Sequence, residues 1–383
     1  MKIRQDGDMS LFNLDLDALR LRTSSKWTRY EADVLPMFVA EMDVAPPPEI
    51  SEHLFRAISQ GDLGYPGLPV YQESFADFAS WLWNWELDPA ELQITVDVMR
   101  GIRELILILT DPGDGIVVNP PVYPPFFTVV EEAGRSLVPV ALTPGGRLDL
   151  PALEKSFQQQ RPKAMLLCSP HNPTGAVHTL EELTELGRLA QKYGVVVISD
   201  EIHAPLAGAA HTPFVTVPGA EQSVVVTSAS KSWNLAALKA ALIIPGAGAT
   251  EVLGWLPGHV PASASHLAII GHSAALDHGR DWLQQVAAEI EQNKQHLKTE
   301  LARLLPGASY EPAPGTYLAW LDCSELGLEA PGRHFHEVGR VRFNFGTEFS
   351  PDAGQFVRMN LATSKELITE GVSRMAASLD TAR

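Results

Sequence analysis

Through the middle of the chain, short runs rich in branched apolar residues alternate with stretches whose apolar residues recur every three or four positions. The apolar runs are 116–118, 137–142, 164–168, 195–199, 224–227 and 240–244. A strand with no polar alternation is one buried on both faces, the habit of a mostly parallel sheet covered by helices. Helical spacing lies between and around these runs, at 71–85, at 100–110 with an expected opening at Gly101, and at 180–193. A long polar amphipathic helix is expected over 281–305. Pro46, Pro47 and Pro48 cannot sit inside a helix and mark a boundary. The pattern predicts an α/β protein with a central, mostly parallel sheet flanked by helices over 46–278. A smaller α/β domain is expected from both termini, 1–45 and 279–383.

Composition narrows the partners. The 383 residues include 46 acidic and 29 basic side chains, a formal net charge of −17. That field repels phosphate backbones and anionic lipid, so neither a nucleic acid nor a membrane is expected as partner. The two cysteines, Cys168 and Cys323, stand too far apart for metal-ligand spacing and are too few for a disulfide framework. Cys168 closes the run MLLC and reads as a small buried hydrophobe. The N-terminal stretch carries charges throughout and lacks the apolar core of a leader, and no run reaches the ~18 apolar residues of a membrane helix. A cytoplasmic protein is expected.

A parallel sheet first suggests dinucleotide binding. The nearest glycine pattern, Gly246-Ala247-Gly248, puts Glu251 where the third glycine should stand. Its side chain and charge would both obstruct a pyrophosphate. A P-loop is also lacking.

Three other segments follow expected strands, and ligands of open α/β sheets bind beyond the carboxyl ends of strands. They are Ser169-Pro170-His171-Asn172-Pro173-Thr174-Gly175, Ser199-Asp200-Glu201-Ile202-His203 and Ser228-Ala229-Ser230-Lys231-Ser232-Trp233-Asn234. Singly, each has an ordinary explanation: a proline-locked turn, a helix cap, a surface lysine. The order N-P-T-G, D-x-x-H, S-x-x-K, with Lys239 eight residues further on, is far more specific. It resembles the fold-type I enzymes dependent on pyridoxal 5′-phosphate (PLP), the class I/II aminotransferase superfamily, from about residue 27 to 367. The segments KWTRYEADVLPMFVAEMD, GYPGLP, PPVYPPFF and VRMNLATS look closest to the cystathionine β-lyase-type C–S lyases, the MalY/PatB group.

The resemblance implies the PLP-dependent transferase (aspartate aminotransferase) fold and a role for each matched residue. Lys231 would carry the cofactor as a Schiff base and later abstract the substrate Cα proton. Asp200 would pair with the pyridine nitrogen and keep it protonated. Asn172, usually followed by a cis proline, would bond the phenolic oxygen. His203 stands where aminotransferases place a tyrosine touching that oxygen, and Tyr123 would stack on the ring. The phosphate would be held by Gly101 and Ile102 at a helix start, by Ser228, and by Lys239 in place of the usual arginine. The part played by Arg100, just before Gly101, stays open. Arg358 would grip the substrate α-carboxylate through its planar fork. Tyr65 matches a tyrosine that the family donates across a homodimer interface, and a tyrosine packed in its own turn is the alternative.

The same resemblance implies a small amino-acid thioether as substrate, with cystathionine, cysteine and S-conjugated cysteines all open. A thiolate would be expelled from Cβ to leave pyruvate and ammonia. Transamination is the alternative outcome, and a PLP-fold binding or regulatory protein is the alternative from another class.

Overall fold

The computed structural model describes residues 10–380, so the first nine residues of the stretch read above for a leader lie outside it. The chain falls into two units. The larger comprises Pro47–Leu283 with Ala313–Thr316; the smaller runs up to Pro46, takes up Gln284–Pro312 and resumes at Tyr317. The first division falls inside the triple proline, and the second lies within the helix Arg280–Leu304.

The described residues form strands β1 (Leu35–Pro36), β2 (Gln93–Thr95), β3 (Gly115–Val118), β4 (Ser136–Pro139), β5 (Ala164–Cys168) and β6 (Val196–Asp200). There follow β7 (Val224–Thr227), β8 (Ala241–Pro245), β9 (Leu318–Asp322), β10 (Val341–Arg342), β11 (Asn344–Phe345) and β12 (Phe356–Asn360). In the larger unit seven of them make one sheet, ordered β2-β8-β7-β6-β5-β3-β4. The five from β3 to β7 run parallel to their neighbours, while β8 runs antiparallel to β7 and β2.

The apolar runs are covered on both faces as expected, with every residue of β5, β7 and the antiparallel β8 buried. On one face Val117, Met165, Leu167 and Val197 pack against Phe157, Leu183 and Leu186. On the other Ile116, Leu166, Ile198 and Val226 pack against Ile102, Leu105 and Phe126. Helix Leu180–Tyr193 starts where expected because Thr179 and Glu182 form a reciprocal capping box, and it ends on left-handed Gly194. Register matters more for function. Cys168, the last residue of β5, lies opposite Asp200, the last of β6, and Asp200 lies opposite Val226 next to the end of β7. The three motif segments therefore leave the sheet at one level of one edge.

In the smaller unit β9, β12 and β11 form an antiparallel sheet, order β11-β12-β9, while β1 and β10 pair in parallel. Its core gathers Leu297, Leu301, Phe335, Phe343, Met359 and Val372. A buried ion pair fixes the segment after β1. Lys26 Nζ donates to both carboxylate oxygens of Asp43 at 2.8 Å and to the Glu41 carbonyl at 3.2 Å. Asn360 Nδ2, at the end of β12, donates to the carbonyls of Val39 and Glu41 from the other side. None of the described helices is long and apolar enough to cross a membrane.

Because the Lys26 and Asp43 side chains are almost wholly buried, removing either one leaves an unpaired charge in the interior. Lys26→Ala or Asp43→Ala should each cost about 3–5 kcal/mol in denaturant unfolding, and Lys26→Met with Asp43→Leu should recover most of it. A single-variant cost below about 1 kcal/mol would show that water reaches the pair.

Candidate active site

The site begins with a carboxyl group in the wrong solvent. Asp200 ends β6, is 4% exposed, and accepts a hydrogen bond from the Ile202 amide at 3.1 Å. Burial pushes its carboxyl up to about 7; the Ile202 amide and the charge of Lys231 pull the other way, and the neighbouring Glu201 adds to the rise. Lys231 is therefore within electrostatic reach of Asp200, as the aligned ends of β6 and β7 allow. Glu201 has its own buried partners: Ser199 Oγ and the Phe214 amide donate to it, and His211 Nε2 lies 2.9 Å away.

Asn172 is buried after β5, its backbone N–H directed at Cys168 Sγ at 3.4 Å, and the Asn172–Pro173 bond is cis. Cys168 is a buried free thiol whose pKa burial raises, so it sits as the hydrophobe expected. His203 is buried at the entrance to the short helix Ala204–Ala207, where its carbonyl accepts from the Leu206 amide. Tyr123 is half-buried before helix Pro125–Glu132, edge-on to Phe126 at 6.1 Å.

The expected helix start needs a correction. Helix Val98–Leu109 opens at Val98, not at Gly101, because Asp97 is the N-cap and accepts from the Arg100 amide at 2.8 Å. The Gly101 amide is already spent on the Asp97 carbonyl at 3.0 Å, and Ile102 lies deeper in the helix. Helix geometry leaves Val98 and Met99 as the amides without a carbonyl four residues back. Gly101 matters through its missing side chain: a Cβ there would meet Val226 Cγ1 at 3.0 Å and Thr95 Cγ2 at 3.1 Å, so glycine lets the helix lie down on the sheet. Lys239 does reach this helix start, with Nζ 3.3 Å from Asp97 Oδ2. Arg100 turns to Glu104 at 2.8 Å and His259 at 3.4 Å. Ser228 is buried, and its hydroxyl donates to the Ala240 carbonyl at 2.7 Å.

In the smaller unit Arg358 lies on β12, buried, and directly across the strand pair from Asn344 on β11. Its Nη2 donates to Asn344 Oδ1 at 2.6 Å and to the Phe38 carbonyl at 3.0 Å, and the guanidinium rests 5.0 Å from the Phe349 ring centroid. Two acceptors on one nitrogen fix the plane of the guanidinium. Tyr65 is 94% exposed in the loop before helix Val70–Trp83, so it does not pack in a turn of its own chain.

The model of the family "Aminotransferase class I and II" matches residues 32–381. The chain belongs to that family. Over 96% of its length it is 44% identical to a protein of Mycobacterium tuberculosis (strain CDC 1551 / Oshkosh) named "Putative cystathionine beta-lyase", covering 98% of that protein. It is 32% identical to cystathionine beta-lyase PatB of Bacillus subtilis (strain 168), covering 96% of this chain and all of PatB. Among solved structures it matches one titled as a "putative plp-dependent beta-cystathionase" from Corynebacterium diphtheriae with a TM-score of 0.92 at 33% identity. That match covers 97% of this chain and 99% of the other.

Sequence reasoning missed three things in this family member. Asp97 announces the true helix start as an aspartate three residues before Arg100, a capping signal that could have been read. Asn344 gives no sequence signal, because its link to Arg358 exists only through the β11–β12 register. Tyr71 and His272, whose side chains meet in the larger unit, are 201 residues apart, so no local pattern joins them.

Asp200 makes a testable demand on ligand-free protein. Its folded pKa lies above the ordinary 3.8, so its contribution is undiminished at low pH and is lost as pH rises towards about 7. Asp200→Asn removes that loss. The variant should outlast wild type in thermal unfolding at pH 8, by at most about 4 kcal/mol, and the gap should close as pH falls to 4. A variant less stable than wild type at pH 8 would contradict the buried-carboxyl account.

Proposed function

We propose that this protein is a PLP-dependent C–S β-lyase that cleaves cystathionine or a related cysteine thioether to a thiol, pyruvate and ammonia. What carries the reading is full-length similarity to PatB and its mycobacterial counterpart, in a chain that retains Lys231, Asp200, Asn172 and Arg358. The residues present fit PLP: Asp200 is a buried carboxyl raised to about 7, and a cationic ring nitrogen beside it would restore the ionised form. PLP, when bound, supplies an electron sink that makes the Cα–H bond of an amino acid acidic.

The chain's own groups do the rest. Lys231 holds the cofactor and then, as a free base, takes the proton from Cα. Asp200 stays ionised opposite the ring nitrogen and Asn172 directs its amide to the phenolic oxygen. His203 and Tyr123 line the ring. The Val98–Met99 helix start and Lys239 take the phosphate, with Ser228 held beside them by Ala240 and Gly101 letting the helix approach. Arg358 takes the substrate carboxylate. As the Cα proton leaves, the Cβ–S bond breaks and its electron pair departs with sulfur, a good leaving group because a thiol ionises near ~8.5. A cytoplasmic setting belongs to this reading.

We extend the proposal to a homodimer. Tyr65 at 94%, Phe55 at 72% and Leu68 at 72% exposure lie on helix Pro48–Gln60 and the loop after it. An apolar surface of this kind is the mark of a protein interface. A second copy covering it would receive Tyr65 at its own cofactor phosphate.

Purified protein given L-cystathionine should release pyruvate with no keto acid added. A strict need for a keto acid would make it an aminotransferase instead. Lys231→Ala should abolish turnover, and borohydride reduction followed by peptide mapping should label Lys231 in wild type; a label on another lysine sinks the assignment. For the dimer, Lys231→Ala and Tyr65→Ala chains, each nearly inactive alone, should regain activity as tagged hybrids, because one site per hybrid is whole. Hybrids that stay inactive would end the shared-site proposal.

A further inference from the structure

Tyr71 and His272 are both fully buried, on helices Val70–Trp83 and His266–His278, which pack against each other. Neither belongs to the set described above. Their rings meet edge to face, centroids 5.3 Å apart at 87°. His272 Nε2 lies 2.9 Å from the Leu238 carbonyl, and His272 Nδ1 lies 3.2 Å from Tyr71 Oη. A carbonyl only accepts, so Nε2 carries the proton. Burial holds the imidazole pKa down at about 4, so the ring is neutral and Nδ1 is a bare acceptor. The phenol fills it, and the phenol oxygen in turn stands 3.5 Å from the Ala229 amide, a long contact at the limit of a hydrogen bond.

The contacts fall on both flanks of one segment: Ala229 stands two residues before Lys231, and Leu238 seven after it. Between them the backbone makes turns rather than a helix or strand, with Trp233 bonded to Ala229, Leu235 to Ser230 and Leu238 to Leu235. Asn234 takes a left-handed φ of 58°. A segment with so few ladder bonds depends on outside anchors for its shape. Leu238 is seated closely: a Cβ on Gly271 would lie 2.7 Å from Leu238 Cδ1, so the leucine would have to shift to admit one beside His272. An apolar pair of the same shape could fill this space as stably, and what a satisfied polar pair adds is a fixed geometry.

We propose that Tyr71 and His272 form a hydrogen-bonded brace that holds the 229–238 segment and thereby positions Lys231. The proposal rests on the reading of Lys231 as the cofactor lysine, and both are positioning residues.

The test compares Tyr71→Phe, which deletes one hydroxyl, with His272→Phe, which keeps a ring of similar shape but has no nitrogen to accept from Tyr71 or donate to Leu238, and with the double variant. Wild type serves as control for the functional reading: without a borohydride-reducible PLP link at Lys231, that reading fails whatever the variants do. The first readout needs no cofactor. In ligand-free protein, amide exchange over residues 229–238 should quicken at least tenfold in each single variant while the sheet strands stay protected. The second uses the holoenzyme. The Kd for PLP should rise about tenfold or more, and the pH midpoint of the visible cofactor band should move. The double variant should be no worse than the worse single, because both substitutions break the Tyr71–His272 bond. Unchanged exchange, or unchanged Kd and midpoint with only a lower melting temperature, would reduce the pair to core packing and overturn the proposal. Additive effects would overturn it equally. Should Tyr71→Phe fold poorly, His272→Phe alone still decides it by the same readouts.

Discussion

The burial of one carboxyl group at the end of β6 is the constraint from which the larger unit's site follows. Asp200 could have been solvated at little cost. Instead, the strands on both sides of β6 are buried at every position, and helices cover both faces, so its pKa is driven to about 7. Such a group is tolerated only where something else is gained. The nearby charge of Lys231 offsets part of the cost, and a cationic ring would offset more. The fold thus stores an unfavourable charge that a cofactor of the right sign relieves, which is a physical basis for affinity as well as for reactivity.

Placing the other groups is a matter of register. Parallel strands that end together put Asn172, Asp200 and Ser228 at one level, and no loop has to reach far to join them. In the smaller unit the antiparallel β11–β12 pair does the same for Arg358 by setting Asn344 opposite it. The segment after β1 is secured by Lys26, Asn360 and Arg358 from three directions. Loops carry the chemistry here, but strands and buried polar groups decide where the loops begin.

Much of this could be read in the sequence, for a definite reason. Runs such as 164–168 and 224–227 signal their burial without reference to any other part of the chain, and the helix 180–193 carries its own capping box. The class I/II aminotransferase family was legible because three short motifs each bring several chemically constrained residues in a fixed order. The start of helix Val98–Leu109 was misplaced by three residues because Gly101 was read as a helix opening. In fact Asp97 caps the helix, and the glycine serves close packing against Val226 and Thr95. Asn344 and the Tyr71–His272 pair were illegible in principle, since their partners are defined by register and helix packing alone. The exposure of Tyr65 is likewise a fact of three dimensions; GYPGLP does not disclose which way its tyrosine turns.

The buried titratable groups divide by sign in a way that suits a site working near neutral pH. Burial lowers His272 to about 4, His178 to about 4 and His171 to about 3, so each is neutral throughout the range in which Asp200 titrates. Their folded pKa values lie below the ordinary histidine value, so they favour the native state fully above about 6.5 and withdraw that support as pH falls towards 4. Asp200 pulls the opposite way, costing more as pH rises to about 7. The scaffold therefore weakens on the acid side, where its neutral histidines must charge, while the reactive carboxyl is the group that burdens the ligand-free protein on the alkaline side. A bound cation beside Asp200 removes the second burden and leaves the first. Cofactor binding should thus matter most to stability at and above neutral pH.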